Sequence, residues 1–309
     1  MDKVMVIAGP TASGKTDLAV ELALMIDGEI ISADSMQIYR GMDIGTAKPT
    51  IDERRGIPHH LIDIVDPDEE YSVAQFKEDA LACIDDIIKR GKTPIVAGGT
   101  GLYINSLVYN ITFSETISNW EYREKLRKLS EEQGPLVLYE YLKKVDPKSA
   151  EIIHPNNVKR VIRALEVYET TGKPISEHKE VSRNNPPPYK FLVYGLQVER
   201  KELYRRIDQR VDKMMEKGLY DEVKGLLSRG YSPELVSLQG IGYKEIIAAI
   251  EGRCSLSEAT ERMKTNTRHL AKRQITWFNK TEGLVWIENS NANTWAILKF
   301  LADNLNNEY

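Results

Sequence analysis

The chain has 309 residues, 41% of them apolar and 28% charged, with a formal net charge of −4. This is an ordinary soluble composition, long enough for one large domain carrying a smaller one, and without the global basic field of many nucleic-acid binders. Cys83 and Cys254 stand alone with no CxxC or Cys/His cluster, which argues against structural zinc and fits a reducing compartment.

From the N-terminus, "VMVIA" (residues 4 to 8) reads as a buried parallel strand. It is too short, and too soon broken by a turn, for a signal peptide, and no apolar run reaches the roughly 18 residues of a membrane span. A cytoplasmic protein without membrane contact is therefore expected. "GPTASGKT" follows, and then "TDLAVELALMI" with helical spacing. Gly9-x4-Gly14-Lys15-Thr16 fits a phosphate-binding loop placed between a strand and a helix. Its glycines let successive amides turn toward an anion, the helix N-terminus adds partial positive charge, Lys15 neutralises oxygen charge, and the Thr16 hydroxyl can ligate Mg²⁺. The loop recognises a diphosphate without saying what that diphosphate carries.

"GEIISADS" reads as a second strand ending in polar residues, and "HHLIDIVDP" as a third. Asp34 comes directly after the second run. It can be a cap or turn residue, a general base, or a Mg²⁺ ligand. The loop after it, "IYRGMDIGTAKP", is longer than common strand–helix connections, and its Tyr, Met and Ile content argues for order. "SVAQFKEDALACIDDIIKRG" is a helix with Ser72 as N-cap and Gly91 as its stop, and "TPIVAGGTG" is a fourth strand feeding another glycine loop. Alternating strands and helices predict an α/β fold with a parallel sheet. The polar clusters after strands one, two and four should then gather at its carboxyl edge.

From Trp120 to Thr171 the chain is charged and helical, "SRNNPPPYK" (182 to 190) is a linker by composition, and "FLVYGLQVE" is strand-like again. The reading is a catalytic core of residues 1–117 and 190–309 with a helical insertion over 118–189. The C-terminal third is mostly helical and closes on "GLVWIE", a candidate edge strand. Local basic groups stand out against the acidic whole: Lys159, Arg160 and Arg163 in "NNVKRVIRALEVY", Lys244 in "GIGYKE", and Arg268, Lys272 and Arg273 in "TRHLAKRQITWF". His59 and His60 have no third ligand nearby, so lining or structural roles are favoured over metal binding.

"GPTASGKT", "SADSMQIYRGMDIGTAKP", "HHLIDIVDPDEEYSVAQF", "VAGGTGLYI", "RVIRALEVYETTGKP" and "AKRQITWF", in this order, resemble the bacterial tRNA dimethylallyltransferase family, from residue 4 to about residue 280. The resemblance implies a P-loop NTPase-like fold with an all-helical insertion. It implies transfer of a dimethylallyl group from dimethylallyl diphosphate to the exocyclic N6 amine of the adenine 3′ of the anticodon, in tRNAs reading codons that begin with U. Diphosphate is then the leaving group. Gly9, Pro10, Thr11, Ala12, Ser13, Gly14, Lys15 and Thr16 would hold it, with Mg²⁺ on Thr16 and Arg210 as a second cation; Arg206 is close enough in sequence to compete. Asp34 matches the family's catalytic aspartate. Ser35, Met36 and Gln37 match the stretch gripping the target base, and Thr100 and Arg123 match positions touching tRNA. Lys159, Arg160, Val161, Ile162 and Arg163 match a segment contacting the anticodon stem-loop, although many relatives have Gln at the position of Lys159. Relatives act as monomers. The competing readings are a P-loop kinase of a small metabolite, with 118–189 as its lid, and a nucleotide-gated RNA-binding protein without chemistry.

Overall fold

The computed structural model of the protein describes residues 1–113, 119–182, 185–289 and 293–306. Two compact units emerge: residues Met1–Leu107 with Pro188–Tyr309, and Val108–Pro187. The helical unit thus begins at 108, not at the expected 118; residue 118 itself lies outside the described residues, as do Arg183 and Asn184 of the expected linker.

In the first unit, β1 (Lys3–Ala8), α1 (Lys15–Ile26), β2 (Gly28–Ser32), the short α2 (Ile51–Arg54), β3 (His59–His60), α3 (Val73–Lys89), β4 (Thr93–Gly98) and α4 (Gly101–Val108) follow in turn. The second unit holds α5 (Trp120–Gln133), α6 (Pro135–Val145), α7 (Pro147–Ile152), α8 (Val158–Thr171) and α9 (Ile175–Ser182). The chain then returns through β5 (Lys190–Gln197), α10 (Arg200–Glu216), α11 (Leu219–Ser228), α12 (Tyr243–Ile250), α13 (Leu256–Phe278), β6 (Val285–Glu288) and α14 (Thr294–Asn306).

The six strands form one parallel sheet in the order β3-β2-β4-β1-β5-β6. Central β1 is buried on both faces, so its sequence is a continuous apolar run. Its register puts Val6 between Val96 and Val193, which aligns the ends of β1 and β4. Helix α1 packs Leu18, Ala19, Leu22 and Ala23 on the sheet, and α14 adds Ile297, Leu298 and Leu301 to the same core. Each such fully buried Leu or Ile contributes roughly 1.5–3 kcal/mol. Ser72 and Gln75 form a capping box on α3, and Gly91 just past its end adopts φ +74. With a glycine-rich turn between β1 and α1, this is a P-loop NTPase-like α/β arrangement.

Two expectations need correction. The apolar run "HHLIDIVDP" is not a full strand: β3 covers His59–His60 only, because Leu61 (φ 60) and Asp63 (φ 57) turn left-handed and break the extended path. The chain also does not close on the edge strand β6, since α14 follows and covers α1.

The long loop after β2 is ordered. Ile38, Tyr39 and Met42 join a second core with Leu219, Val223, Leu226, Tyr243 and Ile246. The Lys48 ammonium is buried beneath the loop, donating to the Tyr39 carbonyl (2.9 Å) and pairing with Asp43 and Asp63. The helical unit has its own core, built from Leu126, Leu138, Leu142, Val161 and Leu165.

Candidate active site

The loop between β1 and α1 has the backbone its composition demands. Gly9 (φ 147), Ala12 (φ 62) and Gly14 (φ 85) occupy positive-φ conformations, and a Cβ at Gly14 would lie 2.8 Å from the Asn289 amide. Asn289, just past β6, donates to the Ser13 carbonyl at 2.7 Å and braces the loop from outside. The Ser13 hydroxyl is buried with no partner among the described residues. Lys15 donates to the Pro10 carbonyl at 2.6 Å, so its ammonium lies over the loop. Burial first, then the neighbouring Arg210 guanidinium, bring the Lys15 pKa down to about 7, and Asp34 opposes the fall. Burial likewise lowers Arg210, against the pull of Asp34, Glu53 and Asp17. Lys15, Arg210 and Asp34 therefore share one electrostatic environment at the carboxyl edge of the sheet.

The structure separates the two competing arginines. Arg206 is bound to Glu202 one turn earlier on α10, at 2.7 Å. Arg210 has no ion-pair partner among the described residues and senses the charge of Asp34. Of the two arginines, Arg210 is the one whose charge acts on Lys15.

Asp34 stands just beyond β2, next to the loop that follows β4. Its Oδ1 accepts the Met36 amide (2.9 Å), the turn role open to it from sequence, and this bond orients the carboxylate. Gly98 permits the close approach: a Cβ there would be 2.2 Å from the Ala33 carbonyl oxygen. The Thr100 Oγ1 accepts the Ser35 amide at 3.0 Å and bonds the Ser35 hydroxyl at 3.3 Å. Gln37 accepts from Ser32 (3.1 Å) and donates to the Ala47 carbonyl (3.3 Å), while Met36 packs against Gly240. The strands bearing the three polar clusters are adjacent in the order β2-β4-β1, so Asp34, Thr100 and the phosphate loop are neighbours.

In the helical unit, Arg123 forks onto Glu166 (2.7 and 2.9 Å) and lies over the Trp120 ring, and Arg163 pairs with the same carboxylate at 2.6 Å. Lys159 and Arg160 are exposed on α8. Val161 and Ile162 are buried in this unit's core, so their side chains pack and do not face a ligand. Lys244 is partly exposed at the start of α12, 3.7 Å from Glu245.

Sequence reading passed over the Asn289 brace and two further clamps. Glu222 of α11 accepts the amides of Asp43 (2.9 Å), Ile44 (2.7 Å) and Gly45 (3.1 Å) and the Tyr243 hydroxyl (2.7 Å), fastening the loop after Asp34. Gln274 of α13 accepts the Thr11 amide at 2.8 Å and donates to the Gly99 carbonyl at 3.0 Å. Only the apolar spacing of their helices was readable; a lone Glu or Gln there resembles a solvated residue.

The end of β4, which pairs with β1, bears on phosphoryl against other chemistry. In a nucleotide-hydrolysing P-loop, a carboxylate near the loop helps hold Mg²⁺. Here β4 ends in Ala97-Gly98 and is followed by Gly99, with no carboxylate, and the acid whose charge is felt at Lys15 and Arg210, Asp34, comes from just beyond β2. The comparisons agree. Residues 37–281 match the IPP transferase family and residues 2–69 the isopentenyl transferase family. The chain belongs to the tRNA dimethylallyltransferase family. It is 59% identical to the tRNA dimethylallyltransferase of Acetivibrio thermocellus, over 93% of this chain and 92% of that one. The tRNA isopentenylpyrophosphate transferase structure from Bacillus halodurans superposes with a TM-score of 0.73 at 43% identity, covering 99% of this chain and 97% of that one. A eukaryotic dimethylallyltransferase solved acting on tRNA gives a TM-score of 0.82 at 35% identity, covering 98% of this chain and 78% of that one. Among the described residues no helix is long and apolar enough to cross a membrane.

Proposed function

We propose that the chain transfers a dimethylallyl group from dimethylallyl diphosphate to the exocyclic N6 amine of the adenine 3′ of the anticodon, in tRNAs reading codons that begin with U. The observation that carries this reading is the joint setting of Lys15, Arg210 and Asp34: two cations beside a phosphate cradle, with one carboxylate in their field. The allylic C–O bond breaks with its electron pair passing to the diphosphate oxygen. The amine nitrogen forms the new bond to the allylic carbon, and its proton passes to Asp34. The loop amides, Lys15 and Arg210 stabilise charge where it develops on the leaving group. The aromatic amine becomes acidic only as it is alkylated, a timing that suits a carboxylate base.

The donor set fits Mg²⁺. Thr16 presents an exposed hydroxyl at the start of α1, and among the described residues no group of three His, Cys, Asp or Glu forms a closed metal site. A cation held by substrate oxygens, Thr16 and water suits an ion that keeps its hydration. Bound there, it supplies charge stabilisation for the departing diphosphate.

The target adenine must leave the base stack to reach Asp34. Ser35, Met36, Gln37 and Thr100 stand at that approach. Lys159, Arg160, Arg163, Arg123 and Lys244 are the basic groups we assign to the anticodon stem-loop, with Arg123 and Arg163 reaching RNA from their shared Glu166. The protein acts as a monomer in the cytoplasm, without membrane contact. The test is incubation with bulk tRNA, Mg²⁺ and labelled dimethylallyl diphosphate, with an ATP-only reaction in parallel. Label entering tRNA without ATP is expected; ATP turnover with unlabelled tRNA would instead select a kinase or a nucleotide-gated binder.

A further inference from the structure

Strand pairing aligns the ends of β1 and β4 but does not fix the loops beyond them. The phosphate loop holds the leaving group, and the loops after β2 and β4 hold the base that takes the proton. Alkyl transfer requires the allylic carbon to lie between the two, so their spacing is a catalytic variable. The Gln274 side chain spans this gap. Gln274 accepts the Thr11 amide of the phosphate loop through Oε1 at 2.8 Å, and its Nε2 donates to the Gly99 carbonyl at 3.0 Å. Both ends of its amide are used. The fit is tight, since a Cβ at Gly99 would lie 2.4 Å from Gln274 Nε2.

The path continues to the carboxylate. Thr100, next to Gly99, donates its amide to the Ala33 carbonyl at 3.1 Å and accepts the Ser35 amide at 3.0 Å. Ala33 and Ser35 flank Asp34. A continuous chain of hydrogen bonds and peptide units thus runs from Thr11 through Gln274, Gly99 and Thr100 to both neighbours of Asp34. One turn further along α13, Trp277 closes over Gly101, where a Cβ would meet its ring at 2.3 Å, so the helix is seated against this loop at two successive points.

We infer that Gln274 is a positioning residue that sets the register between the diphosphate cradle and Asp34, through paired hydrogen bonds to Thr11 and Gly99. Its two amide bonds go to the Thr11 and Gly99 backbone and not to Lys15, Arg210 or Asp34. The inference rests on the transferase reading above and adds to it the element that fixes the distance between its two half-sites. Misplacement of reacting groups by about 1 Å can cost on the order of a hundredfold in rate.

The test uses the full-length protein with bulk tRNA and dimethylallyl diphosphate, measuring single-turnover transfer, KM for each substrate and thermal unfolding. Gln274→Met keeps the bulk and loses both bonds; Gln274→Glu keeps the acceptor for Thr11 and loses the donor to Gly99. The expected result is a fall of about tenfold or more in the transfer rate for Gln274→Met, with KM for both substrates within about threefold and an unfolding midpoint lowered by only a few degrees, well above the assay temperature. Gln274→Glu should fall at least as far, because its carboxylate is set against the Gly99 carbonyl. A merely structural strut would lower stability or weaken both substrates, leaving the rate at saturation intact, and that pattern overturns the inference. So does a Gln274→Met enzyme with the wild-type rate. If one variant does not fold, the other decides. A wild-type protein that moves no label into tRNA overturns the transferase reading itself, a failure distinct from wild-type transfer with indifferent Gln274 variants.

Discussion

Lys15 has a pKa of about 7 because burial and Arg210 disfavour its charge. A bound diphosphate places negative charge against it and draws it back to the ammonium form. Binding should therefore take up a proton wherever free Lys15 is neutral. The sign follows from the direction of the shift: below about pH 6 Lys15 is already charged and adds no pH dependence, while above 7 each bound anion must first protonate it. A group of pKa about 7 is about one-quarter protonated at pH 7.5 and about one-hundredth at pH 9, so affinity for an unreactive alkyl diphosphate should fall about 20-fold over that span. Proton uptake should be about three-quarters of a proton at pH 7.5, approaching one at pH 9. Calorimetry in two buffers of different ionisation heat, at fixed Mg²⁺, reads both. The ligand's own ionisation, with a pKa of about 6, is nearly complete in this window. Lys15→Met removes the lysine contribution and serves as the reference. Arg210→Gln removes one cause of the depression and should shift the steep region to higher pH. Pairing the buffers and finding no uptake, with affinity level from pH 7.5 to 9, would refute the buried-lysine argument.

Arg210→Ala should weaken alkyl diphosphate binding by about tenfold or more, whereas Arg206→Ala, which leaves Glu202 paired with Arg205, should stay within about threefold by the same titration. Gly98→Ala places a methyl group against the Ala33 carbonyl oxygen, a backbone clash that no rotamer relieves; we expect a loss of about 3 kcal/mol or more in denaturant unfolding, or no soluble protein. Buried Glu29 is held near pKa 2, first by its hydrogen bond to Arg90 and then by His60. Its folded value lies below the unfolded one, so the stability it contributes is present above about pH 4.5 and is lost toward pH 2. Arg90→Met should flatten that part of the pH–stability curve, followed by thermal unfolding, and lower stability at neutral pH, because Glu29 keeps only His60 as a hydrogen-bonded partner.

Local signals made much of the molecule legible from sequence. The phosphate loop declared itself because a strand, a glycine turn and a helix are contiguous, and α3 because Ser72 caps it and Gly91 stops it. The third strand misled because residues 61–65 read as a short, mostly apolar run, while Leu61 and Asp63 have left-handed backbones, which pattern does not encode. The C-terminal helix was missed although Ile297, Leu298 and Leu301 have the right spacing, since a final edge strand seemed a natural end. The clamps by Glu222, Gln274 and Asn289 were invisible for a different reason. Each joins segments far apart in the chain, 175 residues in the case of Gln274 and Gly99, and nothing local marks a polar side chain as spoken for. Asp34 shows both sides: its place after a strand was readable, but the turn bond to Met36 and the two cations that share its surroundings were not.

Single-turnover alkylation by Asp34→Asn, with tRNA already bound and dimethylallyl diphosphate saturating, bears on the core assignment more directly than any other experiment. Loss of the proton acceptor should slow N6 transfer by about a hundredfold or more while tRNA affinity stays within about threefold. Transfer at the wild-type rate, or a defect wholly accounted for by lost tRNA binding, would contradict the assignment of Asp34 as the base beside the diphosphate cradle.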